Sequence, residues 1–465
     1  MMGLLLVLFV ENAVAGTDSD SVMVAAIQIS GNARTHNYIL LREMQFKSGD
    51  SISRMLMPAL INQSRLNLLN TSLFNFVTID TVFRQSNDGL KQLEVTVSVL
   101  ERWYVWPVPI MQITDRNFNA WWQSRDFTRI NYGLDIKWYN FTGRMDEFDA
   151  IVQFGKNQHF ALAYKNPYLD KKKRFGAGIE AGYLRNREAG FITQHDKLQF
   201  AFDKNGLLTE KYFALSVSLR NSIFTSHQLD AGFRSATYSD TLQYLNPEYS
   251  YADEDGISYL YLYYKLKLDH RDIKYYPLKG WYADVELSKS GLGLSFEKPV
   301  NVSWVKTTTR AYFQVGKRCY AGLSFIGKVS SKAWQPYSLM RALGYSRDYV
   351  RGYEYYVVDG KHFGLFRSTV KYALIPEHTR SIGFIPAPKF GKIHYALYLT
   401  AFADAAYVWQ PQAFSLNTNL LPESFLFGTG AGIDFVTYYD KVVRVEFAVN
   451  KLGESGIFIH FIAGI

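Results

Sequence analysis

The sequence has a single cysteine, Cys319, in 465 residues, which excludes an intramolecular disulfide. After the first residues, no run reaches the roughly 18 apolar residues that a membrane-spanning helix needs. The chain also lacks the G-x-S-x-G and H-E-x-x-H motifs of common hydrolases, and its nine histidines are scattered. We therefore expect no helical membrane spans, no enzymatic activity, no cofactor and no bound metal.

The first twenty residues differ from the rest of the chain. Gly3 to Val10 is an apolar run, and Ala13-Val14-Ala15 follows the A-x-A pattern of a signal-peptidase site. Residues 1–15 therefore resemble a secretory signal peptide, although no lysine or arginine precedes the apolar run. The alternative is a short buried strand. An exported chain without spanning helices is either soluble outside the cytoplasm or a β-barrel.

The formal charge of +9 is unevenly distributed. Residues 22–101 carry seven basic and six acidic side chains, whereas residues 103–465 carry 43 and 33. No nucleic-acid-binding motif accompanies this excess, so we expect no nucleic acid and favour phosphate-bearing lipid as the anionic partner. The densest basic cluster, Lys171 to Arg174, is interpreted as a solvated loop.

Residues 22–101 predict a small α+β domain. A first strand, "VMVAAIQI", is followed by a helix near His36 to Met44 that Thr35 is placed to cap. Ser51 to Leu69 has apolar residues near helical spacing. Two alternating strands joined by the turn "SNDG" complete a β-α-α-β-β order.

From Trp103 onward, strict alternation replaces the helical period. In "HYALYLTAFADAAYVW", one face is apolar, and Asp404 lies on the other face with Thr400 and Phe402. Long strands of this kind, together with 33 tyrosines and 33 phenylalanines, are typical of a transmembrane barrel with aromatic girdles. Residues 103–465 have room for about sixteen strands. A soluble solenoid or large sandwich is the alternative, but it explains neither the aromatic content nor the strand length.

Five segments stand out in order along the chain. They are Ile27 to Asp50, Leu68 to Asp80, Leu268 to Tyr282, Val350-Arg351-Gly352-Tyr353 and Phe402 to Trp409. Together they resemble the BamA/TamA superfamily of outer-membrane proteins, which join POTRA domains to a sixteen-stranded barrel. The first two are similar to parts of a POTRA domain. The fourth resembles the Arg-Gly-aromatic motif of the sixth extracellular loop, here residues 331–362, and the other two resemble supporting strand motifs.

The resemblance implies a role for each of these residues. It implies that the sixth loop folds into the lumen, where Arg351 meets the acidic Asp404 as a latch. We expect Gly352 to allow close backbone approach, and tyrosines 349, 353, 355 and 356 either to pack around the tip or to stack on the guanidinium. An isolated surface turn is the alternative. The resemblance also singles out a barrel motif made of Asp269, Arg271, Asp272, Pro277 and Gly280. The glycine-rich "GTGAGI", Gly428 to Ile433, is interpreted as a site of close backbone approach within a strand.

The family resemblance implies assembly or insertion of outer-membrane proteins, with clients received at the POTRA domain in the periplasm. An incoming client strand would pair at a seam between the first and last strands of the barrel, roughly Val105–Ile113 and Gly456–Ile465. Pro107 and Pro109 either weaken this seam or simply end the linker. A single POTRA domain leaves export of a dedicated polypeptide as the alternative. Expected partners are unfolded outer-membrane or exported polypeptides, outer-membrane lipid including lipopolysaccharide, and periplasmic or lipoprotein accessory subunits.

Overall fold

The computed structural model describes residues 21–85, 91–113, 130–166, 168–170, 174–251, 255–293, 300–331, 334–381, 388–410, 412, 418–437 and 441–463. The predicted signal peptide and Lys171 to Lys173 lie outside the described residues.

An N-terminal α+β domain opens the described chain. Its elements are β1 (Ser21–Ser30), α1 (Asn37–Glu43), β2 (Ser51–Ser53), α2 (Met57–Leu69), β3 (Phe74–Gln85) and β4 (Lys91–Glu101). The four strands form one sheet in the order β2-β1-β4-β3, in which β1 and β4 are parallel. The helix expected over Ser51 to Leu69 therefore begins only at Met57, because the first three residues pair with β1 instead.

The core of this domain lies between the two helices and the sheet. Its fully buried side chains come from alternate strand residues and from one face of each helix, and include Ile39, Leu40, Leu68, Phe74, Leu93, Val95 and Val97. Thr35 does not cap α1 as expected, since His36 is the N-cap residue and makes no side-chain cap bond. Thr35 is instead buried and hydrogen-bonded to Glu101 and Tyr104.

The rest of the chain forms an antiparallel sheet of sixteen strands, which confirms the predicted number. Its strands are β5 (Val105–Ile113), β6 (Ile130–Tyr139), β7 (Glu147–Gly155), β8 (Asn157–Asn166), β9 (Phe175–Asn186), β12 (Leu208–Arg220), β13 (Thr225–Tyr238), β14 (Gly256–Asp269), β15 (Gly280–Ser290), β16 (Val302–Gln314), β17 (Cys319–Ser330), β18 (His362–Ser381), β19 (Lys392–Trp409), β20 (Phe425–Thr437), β21 (Lys441–Asn450) and β22 (Ser455–Ala463). Each strand pairs with its sequence neighbour, except that β9 pairs with β12 across a separate hairpin of β10 (Glu188–Gln194) and β11 (Lys197–Phe202).

The two faces of this sheet differ in polarity. Along β19, even-numbered residues from His394 to Val408 are buried, whereas the odd-numbered ones are more exposed. Large apolar side chains are exposed on many strands, among them Phe213, Leu215 and Val217 on β12. An apolar outer face and a polar inner face are what a lipid-embedded barrel requires.

The remaining helical segments are short. They are α3 (Asp240–Leu245), a 3₁₀ turn at Tyr337–Leu339, and α4 (Pro388–Gly391). Within the described ranges, no helix is both long and apolar enough to span a membrane.

Candidate functional site

The connection between β17 and β18, residues 331–361, is the loop that the sequence singled out, and we call it loop 6. Leu343 and Val358 form a β-bridge that folds the loop into a hairpin. Its apolar side chains pack against buried residues of β18, β19 and β20, such as Leu365, Val408 and Leu426. Loop 6 is therefore anchored to the inner wall by a hydrophobic cluster as well as by polar contacts.

Arg351, at the tip of loop 6, lies against Asp404 on β19. Its Nη2 donates to Asp404 Oδ1 at 2.6 Å and its Nε to Oδ2 at 2.8 Å, a bidentate pair. The main-chain N–H of Arg351 also donates to Oδ2, at 3.2 Å. The structure thus brings together the two side chains that the resemblance had linked across 53 positions of sequence.

Four further contacts complete the surroundings of the Arg351 guanidinium. Nη1 donates to Glu446 Oε1 on β21 at 3.3 Å, and Nη2 donates to Thr369 Oγ1 and to the Ser368 carbonyl, both at 3.1 Å. The guanidinium carbon lies 3.9 Å from the centre of the Phe402 ring, a distance typical of cation–π stacking. Sequence reasoning missed Glu446, although its strand "KVVRVEFAVN" places it on the same face as Arg444.

The Arg351 network is almost completely shielded from solvent. Arg351 is 5% exposed, and Asp404 and Glu446 are each 1% exposed. Arg367 lies 3.9 Å from Asp404, and Arg444 lies 3.8 Å from Glu446. Arg444 also pairs with Asp434, at 2.7 Å. Three arginines therefore face three carboxylates, and the network is close to electrically balanced, which a low-dielectric site requires.

Two glycines let the loop approach the wall. Gly352 has φ of +94°, in the left-handed region that side chains disfavour, and its carbonyl accepts from Asn450 Nδ2 at 2.9 Å. A Cβ on Gly428 would lie 1.9 Å from the Arg351 carbonyl oxygen. The glycine-rich segment of β20 thus provides the space that the tip of loop 6 occupies.

Of the two arrangements expected for these tyrosines, packing around the tip or stacking on the Arg351 guanidinium, the second does not occur. Tyr349 lies instead beneath the Arg367 guanidinium, with its ring centre 5.0 Å away. Tyr353 is buried in the hydrophobic cluster, and Tyr356 donates to Glu454 at 2.7 Å. Tyr355 is 72% exposed. The stacking ring is Phe402, because β19 passes directly beneath the loop.

The predicted barrel motif forms the turn between β14 and β15. Arg271 donates to both carboxylate oxygens of Asp269, at 2.8 and 2.9 Å. Asp272 accepts main-chain N–H groups across the turn, including that of Leu278 at 3.1 Å. Gly280 has φ of +94°, and a Cβ there would lie 2.1 Å from the His270 carbonyl oxygen.

This turn also holds the N-terminal domain. Asn70, at the end of α2, donates to the Asp272 carbonyl at 2.9 Å and accepts from the main-chain N–H of Lys274 at 3.0 Å. Pro277 lines the cavity above the turn. The motif therefore positions the N-terminal domain against one end of the sheet, a role that its sequence did not suggest.

A buried ion pair forms a second contact between the domain and the sheet. Glu43 of α1 is 1% exposed and accepts from Arg220 Nη1 and Nη2, at the end of β12, at 2.8 and 2.9 Å. Burial raises the pKa of Glu43, but the ion pairs with Arg220 and Arg42 outweigh burial and hold the pKa below its usual value. The ionised carboxylate therefore strengthens the docking of this domain.

The first and last strands, β5 and β22, lie at the two ends of the strand order. Among the described residues, no backbone pairing joins these two strands. Pro107 and Pro109 lie within β5 opposite Ile136 and Leu134 of β6, rather than in a linker before it. Since proline has no N–H to donate, these residues suit the edge of a sheet.

Within the described residues, no group of three or more His, Cys, Asp or Glu side chains is arranged to hold a metal ion. His460, on β22, lies 3.6 Å from both Glu354 and Glu446.

Comparison with known proteins identifies the N-terminal domain. Residues 22–102 match the family model described as "POTRA: Surface antigen variable number repeat". No curated protein is significantly similar to the chain.

Solved structures resemble the whole chain at low sequence identity. CdiB from Acinetobacter baumannii matches with a TM-score of 0.50 and 12% identity, over 95% of this chain and 73% of that one. BamA from Haemophilus ducreyi lacking POTRA domains 1–3 matches with a TM-score of 0.49 and 14% identity, over 95% and 84%. CdiB from Escherichia coli matches with a TM-score of 0.48 and 10% identity, over 97% and 92%.

At such identities, the similarity to the Acinetobacter protein is evidence for a shared fold alone. The expected architecture, a POTRA domain before a sixteen-stranded transmembrane barrel, is confirmed by the POTRA match and the strand order. The chain therefore joins a POTRA domain to a sixteen-stranded barrel with the fold of CdiB from Acinetobacter baumannii, the architecture that the sequence resemblance implied.

Proposed function

We propose that this protein inserts client polypeptides into the bacterial outer membrane, with its POTRA domain in the periplasm. The observation that carries the proposal is the pair of terminal strands, β5 and β22, between which no backbone pairing occurs in the described residues. Strands entering lipid must satisfy every backbone polar group, and an open edge offers hydrogen-bond partners to an incoming strand.

Loop 6 supports this role over that of an open pore. Its tip is buried against β19 and β21 through Arg351, so it fills part of the lumen. A lumen filled in this way favours handling of a client at the seam over free diffusion. The proposed role needs no catalytic residue.

Cross-linking across the seam tests the proposal. In a Cys319→Ser background, Val108→Cys on β5 and Ile459→Cys on β22 are joined by a bifunctional thiol cross-linker with a reducible disulfide in its spacer. The matched control is Leu134→Cys with Val152→Cys, register partners on β6 and β7. We expect only the seam cross-link to stop insertion of client barrels into proteoliposomes, and a reducing agent to restore it. Full activity of the cross-linked seam variant would refute insertion at the seam.

Export of a dedicated polypeptide is the second candidate, favoured by the likeness in fold to CdiB from Acinetobacter baumannii. Depletion followed by proteomics separates the two roles. Broad loss of outer-membrane barrels supports insertion, whereas loss of one exported protein supports export.

A further inference from the structure

A cavity of about 600 Å³ lies in the lumen between loop 6 and the turn that holds the POTRA domain. Its lining is strongly basic, with six arginines and two lysines against a single acid, Asp348. Several of these cations have carboxylate partners, as Arg351 has in Asp404 and Arg444 in Asp434. Four others do not. Lys274 donates to the Asn70 carbonyl at 3.0 Å instead, which leaves Arg310, Arg347 and Lys371 available to an anion in the cavity.

Lys371, on β18, is 7% exposed, and its Nζ lies 3.8 Å from the centre of the Tyr276 ring. Within the described residues, its Nζ makes no hydrogen bond and no ion pair. Asp434 is not free to serve it, because Asp434 already accepts from Tyr276 and Arg444. A buried ammonium without a counter-ion is costly, and an anion in the cavity would remove that cost.

Arg310, on β16, and Arg347, in loop 6, also lack a carboxylate partner, although Arg310 is only half-buried and Arg347 is exposed. Neither lies within ion-pair distance of a carboxylate of the described chain; Arg310 faces the Tyr282 ring with 5.5 Å between guanidinium carbon and ring centre. The cations are well separated. Arg310 and Arg367 both lie opposite Ser324 of β17, so they are two strand spacings, about 10 Å, apart.

Lys371 lies four residues beyond Arg367 along β18, a further distance of about 13 Å. Positive charges spread over such distances suit an anion with more than one charged group better than a single carboxylate. Arginine and lysine donors in this number are typical of phosphate recognition.

The cavity also reaches the last strand of the barrel. Ile459 and Phe461 of β22 line it and are 60% and 81% exposed. Because β22 is a terminal strand with an apolar outer face, a ligand could place its phosphates in the lumen and acyl chains against this edge. A soluble phosphate compound could occupy the same charges without using the edge.

We propose that this cavity binds an anion bearing at least two phosphate groups, either free or as the head group of an anionic lipid, through Arg310, Arg347 and Lys371. The inference is independent of the proposed insertion activity. It requires only the folded barrel.

Titration calorimetry of the full chain in uncharged detergent tests the site with inorganic tripolyphosphate, at constant ionic strength set with sodium chloride. We expect saturable binding that weakens at least tenfold in the variant carrying Arg310→Gln and Lys371→Gln, since two charged donors are lost. Lys211→Gln, on the outward face of β12, is the matched control and should bind as the wild type does. Lys371→Met alone is a second variant, which should weaken binding even if the double variant misfolds.

A competition arm identifies the source of the phosphate. Cardiolipin, with its two phosphates, is added in mixed micelles and compared with phosphatidylcholine. Loss of tripolyphosphate binding with cardiolipin alone supports a lipid head group, and unchanged binding supports a free anion. Absence of saturable binding by the wild type, or equal binding by the Lys371→Met variant, would overturn the proposal.

Discussion

The Arg351 network makes the sharpest prediction. Arg351→Ala removes the guanidinium that pairs with Asp404 and Glu446, both almost fully buried. Asp404 then keeps the main-chain N–H of residue 351 and Arg367 at 3.9 Å, and Glu446 keeps Arg444 at 3.8 Å. Because both carboxylates keep a second cation, we expect a cost of about 3 kcal/mol, the lower end of the range for breaking a buried pair. At about 1.4 kcal/mol per factor of ten, the equilibrium for seating loop 6 should shift more than a hundredfold.

The assay is a double-mutant cycle with Arg351→Ala, Asp404→Ala and the combined variant. Urea unfolding in detergent, followed by tryptophan fluorescence, gives the free energies, and protease cleavage within loop 6 reports its seating. We expect a coupling energy of about 1–3 kcal/mol between the two positions. Arg341→Ala, on the exposed part of loop 6, is the control and should change stability by less than about 0.5 kcal/mol. Additivity of the two single variants within about 0.5 kcal/mol would refute the latch.

Three further outcomes are expected. Gly428→Ala should loosen loop 6 more than Gly352→Ala does. A Cβ at position 428 would lie 1.9 Å from the Arg351 carbonyl oxygen, whereas a Cβ at position 352 mainly adds the strain of a positive φ, about 1–2 kcal/mol. Equal protease sensitivity of loop 6 in the two variants would contradict this. Arg220→Gln should weaken POTRA docking by about 1–3 kcal/mol. In the wild type, docking should weaken as pH falls below the ordinary glutamate pKa of about 4.3 and through the lowered pKa of Glu43, as measured by energy transfer between labels on the two domains. Burial raises the pKa of Asp359 in loop 6 to about 6, so its ionised form destabilises the folded loop. Asp359→Asn should therefore raise the unfolding midpoint at about pH 7.5 and lose that advantage near pH 4, and an equal gain at both would exclude this cause.

Local patterns in the sequence determine much of this molecule. Alternation with a period of two follows directly from strand geometry, so it predicts long strands and places Asp404, Thr400 and Phe402 on one face. Helical spacing in the first hundred residues likewise predicts the two helices of the POTRA domain. These signals depend only on residues that are close together in the chain, so they can be recognised from the sequence alone.

Tertiary structure alone decides which inward residues meet. Alternation assigns a side chain to one face of the sheet but not to a level along the barrel axis. Whether two side chains lie at the same level depends on the register of every strand that separates them. Glu446, 95 positions from Arg351, enters the network through that register. Phe402 stacks on the Arg351 guanidinium, a place for which the sequence had offered only the tyrosines of loop 6 as candidates. Glu43 and Arg220, 177 positions apart, meet only because a separate domain docks on the turns of the sheet. Such contacts depend on how whole strands and domains are positioned, and no short stretch of sequence encodes them.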